Sequence, residues 1–290
     1  MRLRIRLVEP RPAGHNVYDR ALLPRLGLPL MAKMLAESGH DVRIYCEILA
    51  PVDLDDLLDA DLVGISSTTA TAPAAYRLAD LLGTAGVPVV LGGPHVSFCA
   101  DEALGHAHYV VRGEGQQTIC ELVARLEEGR PLEEVRGLSF NTDDGEPRHN
   151  PARPRCTQEE FERLPIPDLS VIEGSGRMTM KPLMTQWGCP FDCEFCSVVA
   201  MFSRSVRHRR TDQVLSELEG LGAERGSSSM TTVSSSTRPA RPSCCAPWLL
   251  RISRRPGPRR SGPMPPGARS LVRRSITSSS ALCARRAARW

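Results

Sequence analysis

Aromatic side chains are scarce in this chain of 290 residues, 4 % in all, and no apolar run approaches the ~18 residues a membrane span requires. The opening Met-Arg-Leu-Arg-Ile-Arg-Leu alternates basic with apolar residues, so it lacks the continuous apolar stretch of a secretion signal. Together these absences lead us to expect a cytoplasmic protein. No strand–GxGxxG–helix unit and no GxxxxGK[ST] loop occurs, which argues against a nicotinamide dinucleotide or a P-loop nucleotide. Acidic residues are missing altogether from 226–290, a stretch with 13 Arg and no Lys. The first 225 residues hold the other 24 basic residues against all 33 acidic ones, so the net +4 averages an acidic body and a basic tail.

What is present is globular: 41 % hydrophobic and 24 % charged residues. Up to about residue 128, β-rich runs alternate with helical ones. Strands are expected over Arg4 to Val8, Asp41 to Tyr45, Leu62 to Ser66, Pro88 to Leu91 and Tyr109 to Val111. Helices are expected over Pro29 to Ser38, Leu54 to Leu58, Ala72 to Ala85 and Gln116 to Glu128, with Gly39, Gly86 and Gly129 as left-handed C-caps. Such alternation means βαβ units, hence an α/β domain with a doubly wound parallel sheet, whose ligands bind beyond the strands' carboxyl ends. At those ends stand Gly27 in the loop after the first strand, then Ser66-Ser67-Thr68, Gly92-Gly93-Pro94-His95 and Gly113-Glu114-Gly115. Small and hydroxylated residues there let a large planar or phosphate-bearing ligand approach the backbone, although strand-to-helix turns use Gly, Ser and Pro anyway. His95 is open to three roles: axial metal ligand, hydrogen-bond donor to the ligand, or neither.

Residues 137–176 read as a hairpin and a Pro-rich crossing linker. Ten cysteines are too few for a disulfide scaffold of this length, and Cys46, Cys99, Cys120 and Cys156 are expected to be small core or half-buried residues. Cys189, Cys193 and Cys196 differ. They follow an expected strand, Lys181 to Trp187, in a C-x3-C-x2-C loop. Three thiolates in one loop suit a [4Fe–4S] cluster with one iron left open, against the alternatives of a structural zinc or a chance grouping.

The run Trp187-Gly-Cys189-Pro-Phe-Asp-Cys193-Glu-Phe195-Cys196-Ser resembles the signature of radical S-adenosylmethionine (radical SAM) enzymes. With the glycine-rich turns before it, the chain up to about residue 222 is similar to the cobalamin-binding class of that superfamily. The resemblance implies a Rossmann-like cobalamin-binding domain over 1–136 and the start of a partial TIM barrel over 177–225. It implies a cluster on Cys189, Cys193 and Cys196, whose open iron chelates S-adenosylmethionine for cleavage to a 5′-deoxyadenosyl radical. Phe195 would pack against the adenine, or else in the core. Cobalamin would sit without a protein histidine, because a DxHxxG motif is absent. The activity implied is radical methyl transfer, ring formation or rearrangement on a small organic substrate, with flavodoxin or ferredoxin as electron donor.

The barrel strands expected after residue 222 do not follow; residues 226–290 are Ser-, Arg- and Pro-rich. Three explanations compete: a basic arm for nucleic acid, a disordered tail, or a shifted reading frame. The first is disfavoured because that stretch has only Trp248 and Trp290 for stacking. For the third, regrouping TCN serine codons across Ser227 to Thr237 permits Phe-Phe-Tyr-Asp-Asp-Gly-Phe-Val-Val-Asp, an apolar strand with an acidic end. The same shift turns Cys244 to Leu249 into a permitted Leu-Arg-Ala-Met-Ala. A frameshift near 225 is therefore favoured, and with it the alternative that this chain is an inactive fragment that only binds cobalamin.

Overall fold

The computed structural model describes residues 2–14, 22–142, 144–191 and 193–220, with the backbone of Met230 and Thr231. The chain divides into two units, Met1–Pro239 and Ala240–Trp290, the second lying outside the described residues. Of the tail expected to be disordered, only Met230–Thr231 is described, and it is a short strand; the rest lies outside the described residues.

The first unit is built on a mixed seven-stranded sheet. Its parallel strands are β1 (Arg4–Glu9), β2 (Asp41–Cys46), β3 (Leu62–Ser66), β4 (Val89–Gly92) and β5 (Tyr109–Val111), in the order β2-β1-β3-β4-β5. The connecting helices are α1 (Gly27–Glu37), α2 (Leu54–Leu58), α3 (Ala72–Thr84), α4 (Pro94–Phe98), α5 (Ala100–Leu104) and α6 (Gly115–Glu128). Each expected strand and helix lies within about two residues of an observed one; α4 and α5 are additions. Both faces of the sheet are covered. Leu28, Ala32 and Leu35 of α1 and Ile119, Leu122 and Val123 of α6 share a core on one face. Leu57, Ala75, Ala79, Leu82 and Ala103 from α2, α3 and α5 close the other. The spacing i, i+3, i+4 in α6 sets this apolar stripe, and Gly129 ends the helix with φ 61°.

Within the first strand, Arg6 is only 3 % exposed. Its guanidinium bonds Asp56 (2.6 Å) and Asp41 (3.2 Å), so an arginine sits inside the doubly covered sheet because its charge is paired.

Residues 137–176 do more than connect. Strands β6 (Leu138–Asn141) and β7 (Pro147–His149) form an antiparallel hairpin that extends the sheet beyond β5. At the opposite margin, the Ile44 N–H donates to the Val171 carbonyl (2.9 Å) and the Glu173 N–H to the Ile44 carbonyl (2.8 Å). One segment thus covers both edges of the parallel sheet, where unpaired strands invite association. Next comes α7 (Gln158–Arg163), opened by a reciprocal capping box between Thr157 and Glu160. The strand expected over Lys181 to Trp187 is split into β8 (Pro182–Leu183) and β9 (Gln186–Trp187). Then follow α8 (Val198–Phe202), β10 (Arg207–His208), antiparallel to β9, α9 (Thr211–Gly220) and β11 (Met230–Thr231), parallel to β8. Leu26, at the N-cap of α1, and Leu30 of α1 pack with Phe161, Leu164 and Met184, fixing this C-terminal part to the sheet domain.

Candidate functional site

The carboxyl ends of β3, β4 and β5 form a rim joined by hydrogen bonds. Ser67 is fully buried, and its N–H donates to the Gly92 carbonyl (2.8 Å). Gly93 has φ 102°; a Cβ there would run into the Ser67 carbonyl oxygen and stand 2.9 Å from the Ser67 nitrogen. Only glycine lets these two turns touch. Ser97 then donates to the Gly93 carbonyl (2.8 Å) and accepts from the Gly113 N–H (2.9 Å), tying in the third turn. Ser66, Thr68, Gly92, Pro94 and His95 remain half-buried along this rim, and Gly27 is exposed at the start of α1. A depression of 480 Å³ lined by Pro10, Arg11, Val52, Leu54, Ala74 and Leu78 includes none of the residues singled out in the sequence.

Glu114 and Gly115 are engaged elsewhere. A Cβ on Gly115 would meet Val111 Cγ1 at 2.7 Å, so its smallness serves helix-on-strand packing. The Glu114 carboxylate accepts from the Cys156 N–H (2.7 Å) and, bidentately, from Arg207 (2.6 and 2.9 Å). Arg207 also donates to the Cys156 (2.8 Å) and Phe202 (2.7 Å) carbonyls and lies 5.7 Å from the Trp187 ring centre. This buried pair links the third rim turn to the strands flanking the cysteine loop. Sequence reasoning had no signal for it.

The cysteine loop opens at Gly188, whose φ of 93° and contact with the Ser205 carbonyl leave no room for a Cβ. The Cys189 N–H donates to the Ser203 carbonyl (3.3 Å) and the Cys196 N–H to the Cys193 carbonyl (3.0 Å); Asp192 lies outside the described residues. None of the three is in a disulfide; Cys193 is exposed and the other two are half-buried. Phe195 is 92 % exposed, so core packing, one of its two expected roles, does not occur. Among the described residues, one group of three ligand atoms lies within 4.8 Å of one another, and it is His95, Cys99 and Glu102. The loop sulfurs are thus not gathered around a single ion. A donor set of three thiolates fits a cluster in which each takes its own iron.

Of the scattered cysteines, Cys46 and Cys156 are buried and Cys99 and Cys120 half-buried. Burial is the main cause that pushes the thiols of Cys46 up to about 12 and of Cys120 and Cys156 up to about 11.

A doubly wound parallel sheet with small-residue turns beyond its strand ends defines an α/β protein of the Rossmann-like, ligand-binding class. Residues 20–123 match the B12 binding domain family. The chain is 34 % identical over 218 residues to an uncharacterized methyltransferase of Pyrococcus horikoshii, covering 70 % of this chain and 47 % of the relative. It is 30 % identical over 234 residues to the hopanoid C-3 methylase of Methylococcus capsulatus, covering 74 % and 44 %. Its fold is similar to the radical S-adenosylmethionine methyltransferase TsrM of Kitasatospora setae, with TM-score 0.63, 22 % identity, and 79 % and 47 % of the two chains covered. It is also similar to the cobalamin-dependent S-adenosylmethionine radical enzyme OxsB, with TM-score 0.62, 22 % identity, and coverage of 75 % and 31 %. Residues 20–123 thus form a B12 binding domain, and over three quarters or more of its length the chain shares the fold of TsrM and OxsB. It spans about half the length of the curated relatives it matches. No helix among the described residues is long and apolar enough to cross a membrane.

Proposed function

We propose that this chain holds a [4Fe–4S] cluster on Cys189, Cys193 and Cys196, S-adenosylmethionine on the open iron, and cobalamin against the rim of Ser66, Ser67, Thr68 and Gly92 to His95. The reaction is radical methyl transfer or rearrangement on a small organic substrate. Bound together, these groups supply a one-electron reductant, a radical source and a methyl carrier. The observation that carries the reading is the three-cysteine loop with Cys193 exposed, flanked by Trp187 and Phe202, which Arg207 ties to the Glu114 turn of the rim. In this arrangement Gly188 fixes where the loop begins, and the hydrogen-bonded rim presents small side chains to a broad ligand. Phe195, already exposed, covers the adenine. A flavodoxin or ferredoxin in the cytoplasm reduces the cluster from the Cys193 side.

A second reading is that the encoded chain retains cobalamin binding without turnover, after a frame shift near residue 225. The absence of acidic residues from 226–290 favours it.

Anaerobic reconstitution of the full chain and of Cys193→Ala, followed by iron and sulfide counts and a reductive S-adenosylmethionine cleavage assay, separates these. About four irons per chain, lost in the variant, with 5′-deoxyadenosine formed, supports the enzyme. A cluster without cleavage supports the second reading, and no iron in either protein rejects the first.

A further inference from the structure

The ligand group formed by His95, Cys99 and Glu102 has no part in the cluster loop; of the three, only His95 also stands on the rim proposed for cobalamin. We propose that these three side chains form a binding site for a divalent cation of borderline softness, Zn2+ above all, with a fourth position open to water. An imidazole, a thiolate and a carboxylate are the donor types that zinc takes, and three protein ligands plus water is its open arrangement.

The geometry is close to what that ion needs. The ligand atoms lie within 4.8 Å of one another, and His95 Nε2 is 3.8 Å from Glu102 Oε1. That separation is too long for a hydrogen bond but near the ~3.3 Å edge of a tetrahedron with ~2.0 Å bonds. Nε2 is buried and has no hydrogen-bond partner, an unusual state for a polar atom. The other ring nitrogen, Nδ1, meets Thr69 Oγ1 at 3.3 Å. A ligating histidine has this pattern: one nitrogen is oriented by a neighbour and the other is free for metal.

The backbone holds two ligands in place. The Cys99 N–H donates to the His95 carbonyl and the Ala103 N–H to the Cys99 carbonyl, both at 3.1 Å, so Cys99 closes α4 and opens α5. Glu102 stands in the first turn of α5 with its side chain 56 % exposed. On the inner side, the Tyr76 ring lies 6.0 Å from His95 and stacks on His106 at 4.3 Å. Metal at this point would pin α4, α5 and the Thr69 turn together at the rim.

Co2+ titration of the full chain with Cys189, Cys193 and Cys196 all replaced by Ala tests the site, because the cluster loop can then take no metal. One equivalent should bind with a thiolate-to-cobalt charge-transfer band and tetrahedral ligand-field bands, displaced by Zn2+. In that background Cys99→Ala abolishes the charge-transfer band, while His95→Ala, Glu102→Gln and Thr69→Val each weaken binding by roughly tenfold or more. If the triple variant does not fold, metal analysis of the cluster-loaded full chain replaces it, with one zinc beside the iron, absent in Cys99→Ala. No stoichiometric metal, or a thiolate band that survives Cys99→Ala, overturns the site. Because cluster iron is counted separately, failure here leaves the reading of the cysteine loop untouched.

Discussion

Arg207 clamps Glu114 through two hydrogen bonds of 2.6 and 2.9 Å, with the two side chains 5 % and 4 % exposed. Ninety-three positions separate them, and the pair bridges the sheet domain and the segment carrying the cysteine loop. Removing one partner leaves the other charge buried without compensation, which typically costs about 3–5 kcal/mol. Glu114→Gln and Arg207→Met are each expected to lose stability of that order in urea unfolding. The double variant should recover part of the loss, since two neutral groups of similar volume replace a desolvated pair. Arg207→Lys keeps the charge but cannot make the fork to Glu114 and also reach the Cys156 and Phe202 carbonyls, so it should be intermediate. Losses below about 1 kcal/mol in both single variants would mean that the pair is solvated and structurally idle.

Thiol chemistry divides the cysteines of the described residues. Cys46, Cys120 and Cys156 are pushed to about 12, 11 and 11, mainly by burial, so near pH 8 almost none of each is thiolate. Cys193 is exposed. Alkylation of the iron-free chain, followed by peptide mass spectrometry, should therefore label Cys193 first and those three only on unfolding. Early labelling of Cys46, which has no exposed surface, would contradict the core it belongs to.

Much of this arrangement was legible in the residues. Hydrophobic period and Gly punctuation located β1 to β5 and the main helices, because those signals are local: Ile119, Leu122 and Val123 mark one face of α6 whatever they pack against. The C-x3-C-x2-C spacing was legible for the same reason. What stayed hidden depends on tertiary partners. Nothing near Glu114 announces an arginine 93 positions away, so a residue in a glycine-rich turn read as a ligand contact when its carboxylate is taken up by Arg207 and Cys156. The burial of Arg6 was hidden in the same way, because its partners Asp41 and Asp56 lie far off in sequence. Two overlooked features did carry local signals: the Thr157-x-x-Glu160 capping box and the i, i+4, i+7 spacing of His95, Cys99 and Glu102.

Two glycines are required by their surroundings, and one provides the control. Gly93 and Gly188 have φ of 102° and 93°, and a Cβ on either would run into a carbonyl oxygen, of Ser67 and Ser205 respectively. Gly93→Ala and Gly188→Ala should each cost more than about 2 kcal/mol, strain and clash combined. Gly176 has nothing within 4 Å of its Cβ position, and Gly176→Ala should stay within about 0.5 kcal/mol. Thermal melts of the three variants decide it. Equal, small losses would mean that the rim and the loop relax around the new methyl groups.

Glu217 gives the stability a pH dependence whose sign can be fixed. Burial raises its pKa above the usual carboxylate value, with the nearby Arg209 charge acting in the opposite direction. Arg209 is itself buried, and its guanidinium donates to the Pro165 carbonyl (2.7 Å) and the Leu164 carbonyl (3.3 Å). Because the folded state binds the Glu217 proton more tightly than the unfolded chain, the stabilisation from this group is fully present on the acid side. It is lost as pH rises through the folded-state pKa. Glu217→Gln removes that titration. The difference in melting temperature, variant minus wild type, should therefore grow as pH is raised from acid toward neutral and then level off. A constant offset across the range, whichever its sign, would show that the carboxyl titrates as freely in the folded chain as in the unfolded one.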